Sequence, residues 1–163
     1  MTGVQTCALP IFPLHPLIVH VVVVFAPLAG VGGILYAVRP AWRWWLRWPF
    51  VASAVIAAVA GVVAAQSGYS LEHARQLQQL ATVRTHQHRG SILRWLMLAF
   101  LVPTGLGAAL LGGESQVISG WGARAGRTGA VAVAVQVLLV VSALILLVWV
   151  FLTGDSGARA IWG

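Results

Sequence analysis

The chain has 163 residues, of which 60% are hydrophobic and only 8% are charged, and its formal net charge is +7. Globular domains carry about 25% charged residues, so this composition excludes a water-soluble globular protein and indicates an integral membrane protein. The positive charge comes from arginine alone. Because no basic stripe is interleaved with base-stacking aromatic residues, we predict that the arginines contact the lipid bilayer and that there is no nucleic-acid partner.

The first eleven residues, 1–11, look like the translation of a common sequencing-library adapter in which GTG is read as the start codon. Segments of this kind are excluded from fold reasoning. We therefore predict one domain, 12–163, and expect the natural protein to begin upstream of Phe12. Cys7, the one cysteine, falls in the excluded segment, so the domain has no thiol for a disulfide, a metal site or a nucleophile.

Four segments have the length of about 20 mostly apolar residues that a membrane span requires. The predicted spans run over residues 16–38, 49–67, 91–111 and 130–152. Pro16 and Pro49 suit first helical turns, and Gly30, Gly32 and Gly33 predict a flat face for close helix packing. The predicted fold class is an all-α, integral membrane four-helix bundle with up-down-up-down topology.

The connections between the spans differ in character. Residues 39–48 interleave arginine with four tryptophans, which favours an anchor at the membrane interface over an aromatic box for a ligand. Residues 71–80 carry apolar side chains at helical spacing. They predict a short amphipathic helix between spans two and three, or an extension of the third span.

In the predicted topology the starts of spans one and three meet the ends of spans two and four at one membrane face. All five histidines and Asp155 fall at this face, so any metal, cofactor or proton-handling site belongs there. Arginines are equally divided between the two faces, five and five. The arginine cluster in the first hairpin favours a cytoplasmic first loop, with both termini outside a bacterial inner membrane.

Histidine spacing narrows the candidates. His15 precedes Pro16, which disfavours the helical conformation, so we expect His15 to cap the first span. His20 lies about one turn inside the span, where an imidazole needs a partner, and we expect it to face the bundle interior. His86 and His88 are two residues apart, so only one of them can face the bundle if that stretch is helical.

Two hypotheses follow for this face. The first is a redox or electron-transfer component in which His20 and His86, or His88, bind haem b or another transition metal. The candidate metal ligands are His15, His20, His86, His88 and Asp155. The second is a cofactor-free accessory or transport-associated protein, in which His20 bonds to a neighbouring helix or to Asp155 and the histidines form a structural or pH-sensitive cluster.

Nothing in the chain indicates an enzyme. Only three acidic residues are present, and no two of them are close in sequence, so paired carboxylates and a catalytic triad have no basis. A phosphate-binding GxxxxGK loop is impossible in a chain without lysine. We expect a non-enzymatic protein whose partners are the bilayer and, for the first hypothesis, a redox or membrane protein.

The chain resembles a bacterial membrane protein family known as domain of unknown function 2231, over about residues 12–163. The motifs that carry the resemblance are Pro13 to His20, Ser67-Gly68 followed by Leu71-Glu72, His86 followed by Gly90, and Asp155 to Gly163. The resemblance implies four spans, with family histidines at positions 15, 20 and 86. Members often have a histidine where this chain has Asp155, which weakens any scheme with an obligatory ligand there. The family has no established activity.

Overall fold

The structure, a computed structural model, describes residues 14–75, 81–112 and 128–162. It contains four α-helices: α1 Leu14–Val38, α2 Arg43–Arg75, α3 Ala81–Leu110 and α4 Ala130–Trp162. All four are long and apolar enough to cross a membrane. The described residues contain no β-strand. The predicted all-α, four-helix membrane bundle is confirmed. The adapter-like segment lies outside the described residues.

The helices are longer than the predicted spans. A short 3₁₀ turn, Pro40–Trp42, joins α1 to α2, and α2 then begins at Arg43 rather than near Pro49. The prediction took Pro49 as a helix start, but the helix continues through it, and the Ser53 hydroxyl donates to the Pro49 carbonyl at 2.7 Å. A proline in a helix removes one backbone donor without ending the helix in every context.

Of the predicted amphipathic helix between spans two and three, residues 71–80, only the first half lies in the described part of the chain. Residues 71–75 belong to α2, which continues without interruption from the membrane span to Arg75. The next described helix, α3, begins at Ala81, ten residues before the predicted start of the third span. Residues 76–80 lie outside the described part of the chain.

Small residues allow the helices to approach closely, as predicted for α1. A Cβ added to Gly30 would lie 2.8 Å from Leu147 Cγ of α4. A Cβ on Gly33 would lie 3.1 Å from Phe50 Cε2 of α2 and 3.2 Å from Phe100 Cζ of α3. The glycine face of α1 therefore contacts all three other helices, and the buried core forms around it.

Arg43 binds the last carbonyls of α1 at the end of the bundle where α1 is connected to α2. Its guanidinium is buried, and it donates from Nε to the Tyr36 carbonyl at 2.9 Å and from Nη2 to the Ala37 carbonyl at 3.0 Å. The last carbonyls of a helix lack backbone partners and carry partial negative charge. Arg43 therefore caps α1. The four tryptophans of this connection are all exposed, as expected for interfacial anchors.

Candidate functional site

His15 is the second residue of α1 and lies in the helix, not before it. The expectation that it caps the span is wrong. Pro16 falls in the first helical turn, where backbone N–H groups have no partner in the helix, so its missing donor costs little there. His15 nevertheless adopts the helical conformation, which a following proline disfavours. His15 is half-buried and faces α2.

The His15 ring is held by the last turns of α2. Its Nδ1 atom lies 2.9 Å from Ser67 Oγ, and that hydroxyl donates its proton to the Ala64 carbonyl at 3.1 Å. Since the hydroxyl proton is used on Ala64, Nδ1–H must donate to Ser67 Oγ. The lone pair of the neutral ring is then on Nε2. A Cβ on Gly68 would come within 3.1 Å of His15 Cε1, so glycine leaves the room that the ring occupies.

His86, near the start of α3, is held in the same way by α4. Its Nδ1 atom lies 3.3 Å from the Thr153 carbonyl and 3.3 Å from Ser156 Oγ. A carbonyl can only accept a hydrogen bond, and the Ser156 hydroxyl donates its own to the Thr153 carbonyl at 2.9 Å. The His86 Nδ1–H is therefore again the donor. A Cβ on Gly157 would lie 3.0 Å from His86 Cε1.

The two histidines therefore sit in equivalent units. Each unit consists of a backbone carbonyl, a serine three residues later and a glycine four residues later. These are Ala64, Ser67 and Gly68 for His15, and Thr153, Ser156 and Gly157 for His86. The hairpins α1–α2 and α3–α4 thus each supply one histidine, in one tautomer, to the same end of the bundle.

His20 does not belong to this site. It is exposed, and its Nδ1 lies 2.6 Å from the carbonyl of Pro16, one turn earlier in its own helix. The prediction that His20 faces the bundle interior is wrong, because five helical residues rotate it by about 140° from His15. The carbonyl of Pro16 supplies the partner that an imidazole at this depth needs. His20 and His86 are not brought together as a ligand pair.

His88 and Asp155 also lie apart from the pair. His88 is exposed while His86 is half-buried, which confirms that only one of the two faces the bundle. Asp155 is paired with Arg159 of the next turn, with 3.1 Å between Oδ2 and Nε, and not with His20. Among the described residues, no three His, Cys, Asp or Glu side chains meet as a metal-binding group. The five predicted ligands therefore do not form one site.

Sequence reasoning named His15 among the candidate ligands but paired His86 with His20, because it placed His15 before the helix. A signal was present: His15 is 18 residues, or about five full turns, before Gly33, so both share the face of α1 that packs on its neighbours. A second signal was the dipeptide Ser-Gly, which occurs at Ser67-Gly68 and at Ser156-Gly157, near the ends of the second and fourth helices. Together these patterns select His15 over His20.

Fold and site define the chain as a multi-pass helical membrane protein in which two histidines are held in the same way at one end of the bundle. No family model, no curated protein and no solved structure matches the chain. The resemblance to the family of unknown function therefore stays a prediction, and the functional conclusion rests on the geometry of the histidines.

Proposed function

We propose that this protein is a non-enzymatic component of a bacterial plasma membrane, with both termini outside, that binds one metal centre between His15 and His86. The observation that carries the proposal is that a neighbouring helix holds Nδ1 of each ring at the same end of the bundle. Each Nδ1–H is used on a serine or carbonyl oxygen of the adjacent helix, so each lone pair is on Nε2. Metal-binding histidines use the same arrangement, in which the second nitrogen fixes the ring.

The donor set indicates which centre fits. Structural zinc in proteins takes four protein ligands, and the described residues offer no group of three. Haem iron needs only two axial ligands from the protein, because the porphyrin supplies the others. An ion that accepts two imidazoles fits equally well. When bound, such a centre supplies one-electron chemistry, and a redox protein in or at the membrane is the partner that this role requires.

The residues of the chain would hold and orient this centre. Ser67 and Ser156 fix the ring planes, and Gly68 and Gly157 admit the rings against the helix backbones. The Arg89 guanidinium, one turn after His86, donates to the Leu152 carbonyl at 3.0 Å and ties α3 to α4 beside the site. The site therefore has both ligand side chains and support from two further helices.

Metal analysis and an absorption spectrum of the purified protein test the proposal, after expression with haem precursor and transition metals supplied. We expect one metal centre per chain in the wild type, and its loss in His15→Ala and in His86→Ala. His20→Ala and His88→Ala are matched controls, because both rings are exposed outside the pair, and we expect them to retain the metal. A wild-type protein with neither stoichiometric metal nor a Soret band would overturn the proposal.

The second candidate is a cofactor-free accessory or transport-associated protein in which the pair responds to pH. The observation that favours it is the position of both imidazoles at the same end of the bundle, since a positive charge on one ring disfavours protonation of a ring near it. The same spectrum separates the two functions. A metal-free protein whose His15 and His86 resonances titrate as a coupled pair would support this candidate.

A further inference from the structure

An open groove of about 350 Å³ runs between the end of α1 and the first turns of α4. Apolar residues of both helices line it, among them Val38, Val137 and Val141. Val38 is 54% exposed and Val137 is 56% exposed, so the groove opens toward the bilayer and not into the bundle. Of the described residues that line it, Gln136 alone has a polar side chain.

The Gln136 amide has no hydrogen-bond partner among the described residues. Besides Ser142, it is the only hydroxyl or amide side chain in residues 130–152, and the Ser142 hydroxyl is already bonded to the Leu139 carbonyl of its own helix. A primary amide has two N–H donors and one carbonyl acceptor. Leaving them unpaired in a membrane span is costly. The amide therefore needs a partner that both donates and accepts.

α4 also has more uncovered surface than the other helices. In its most apolar part, 22% of the residues are buried in the bundle, compared with 33% in each of the other three helices. The exposed residues Val133 and Leu144 lie within about 80° of Gln136 around the helix axis. An apolar stripe with one amide in it is thus left without a helix packed on it.

A second copy of this chain satisfies the amide better than lipid does. An acyl chain offers no hydrogen bond, and the ester oxygens of a lipid only accept. The Gln136 amide of a second copy supplies both a donor and an acceptor. Two copies inserted in the same orientation are related by a two-fold axis along the membrane normal, which places equivalent residues at equal depth.

We propose that two copies of this protein associate at the groove between α1 and α4 through hydrogen bonds between their Gln136 amides. In each copy the amide N–H donates to the side-chain carbonyl of Gln136 in the other copy, as polar side chains do between membrane helices. The inference goes beyond the proposed metal centre and does not require it. The groove adjoins the end of α1, whereas His15 lies at its start.

Two cysteine variants test the interface in the membranes of expressing cells, in the full chain without Cys7. Val137 lines the groove, whereas Leu138, the next residue, is exposed outside it. We expect mild oxidation to link Val137→Cys into dimers and to leave Leu138→Cys monomeric. Adding Gln136→Leu to Val137→Cys is expected to lower the linked fraction. Equal linking of the two cysteines, or of neither, overturns the inference.

Energy transfer between donor-labelled and acceptor-labelled copies in liposomes measures the affinity, with labels at Ala158→Cys and metal removed by a chelator. We expect Gln136→Leu to raise the dissociation constant of the dimer about 5–30-fold. Leucine suits a membrane span, and melting curves check that the variant is folded. Ser142→Ala is the matched control and is expected to leave the constant unchanged, because that hydroxyl bonds within its own helix.

Two results of this titration overturn the inference. One is a wild-type chain that stays monomeric at every ratio of protein to lipid, as expected if lipid alone fills the groove. The other is an equal dissociation constant in the wild type and in Gln136→Leu. No histidine is changed and no metal is present, so neither result bears on the metal-centre proposal.

Discussion

At the scale of single residues, the function of a histidine in this bundle is decided by what its Nδ1 atom contacts. His20 turns Nδ1 back to its own helix, at the Pro16 carbonyl. The Nδ1 atoms of His15 and His86 face a neighbouring helix, where a serine hydroxyl accepts the hydrogen bond. Both arrangements fix the Nδ1–H tautomer, since a carbonyl can only accept, but only the second links two helices. Three imidazoles of the same chemical type therefore have different roles.

The tautomer is directly testable. We expect ¹⁵N spectra of the neutral wild-type protein to show protonated Nδ1 and unprotonated Nε2 in His15 and His86. Ser67→Ala and Ser156→Ala each remove one Nδ1 partner and should cost about 1 kcal/mol of unfolding free energy. Ser142→Ala is the control, since that hydroxyl bonds only the Leu139 carbonyl of its own helix. Protonated Nε2 in both wild-type rings would refute the assignment.

Two glycines of α4 give a matched pair for the packing of His86. A Cβ on Gly157 would lie 3.0 Å from His86 Cε1, whereas nothing lies within 4 Å of a Cβ on Gly154. Gly157→Ala should displace the ring and destabilise the fold by about 1–3 kcal/mol. Gly154→Ala should be neutral, or stabilising by up to about 1 kcal/mol, because alanine favours the helix. Thermal unfolding in detergent compares them, and equal effects would contradict the close contact.

At the scale of elements, helix length decides where the site lies. α2 has 33 residues and is about 50 Å long at 1.5 Å per residue, against a hydrocarbon core of about 30 Å. The ends of α2 and α4 and the start of α3 extend past the predicted spans on the histidine side. We therefore expect His15 and His86 to lie near the membrane interface, where polar groups are tolerated.

The opposite end depends on the arginine that caps α1. Arg43→Gln removes a buried cation and the hydrogen bonds to the Tyr36 and Ala37 carbonyls. Hydrogen bonds of charged groups contribute about 1.5–3 kcal/mol, so we expect a loss of that size. Arg39→Gln is the control, because Arg39 is exposed and its guanidinium lies over the Trp42 ring at 5.8 Å. Unfolding curves in detergent that shift equally for both variants would argue against the cap.

At the scale of the whole molecule, one histidine joins α1 to the end of α2 and another joins α3 to the end of α4. Ser67 and His15 are 52 residues apart, and Ser156 and His86 are 70 residues apart, yet each pair makes the same contact. Gly33 against Phe100 brings α1 and α3 together across the bundle. The site is thus a property of the assembled bundle and of neither hairpin alone.

The four spans predict which connections share a side of the membrane. In a background without Cys7, we introduce single cysteines at four exposed positions: Ala41, Thr82, Thr128 and Ala158. An impermeant thiol reagent applied to one side of sealed vesicles should label Ala41→Cys and Thr128→Cys together. The reagent on the other side should label Thr82→Cys and Ala158→Cys, because these positions follow an odd number of spans from the first pair. Labelling of all four from one side would contradict four spans.

The sequence by itself determined the membrane class, the number of helices and the face that carries the histidines. These properties depend on the lengths of the apolar segments and on their order, and both can be read directly from the sequence. It also placed the glycine face of α1, confirmed by the contacts of Gly30 and Gly33. The helix ends were predicted less well, because Pro16 and Pro49 were interpreted as starts when both helices begin earlier.

Only the tertiary structure decided which histidines contact a neighbouring helix. A rotation of about 140° separates His15 from His20 on one helix, and the face that turns inward depends on packing against the other three helices. The bonds from His15 to Ser67 and from His86 to Ser156 join residues that no local pattern connects. The chemical state of each ring, with its lone pair on Nε2, follows from these long-range contacts and therefore could not be predicted from spacing along the chain.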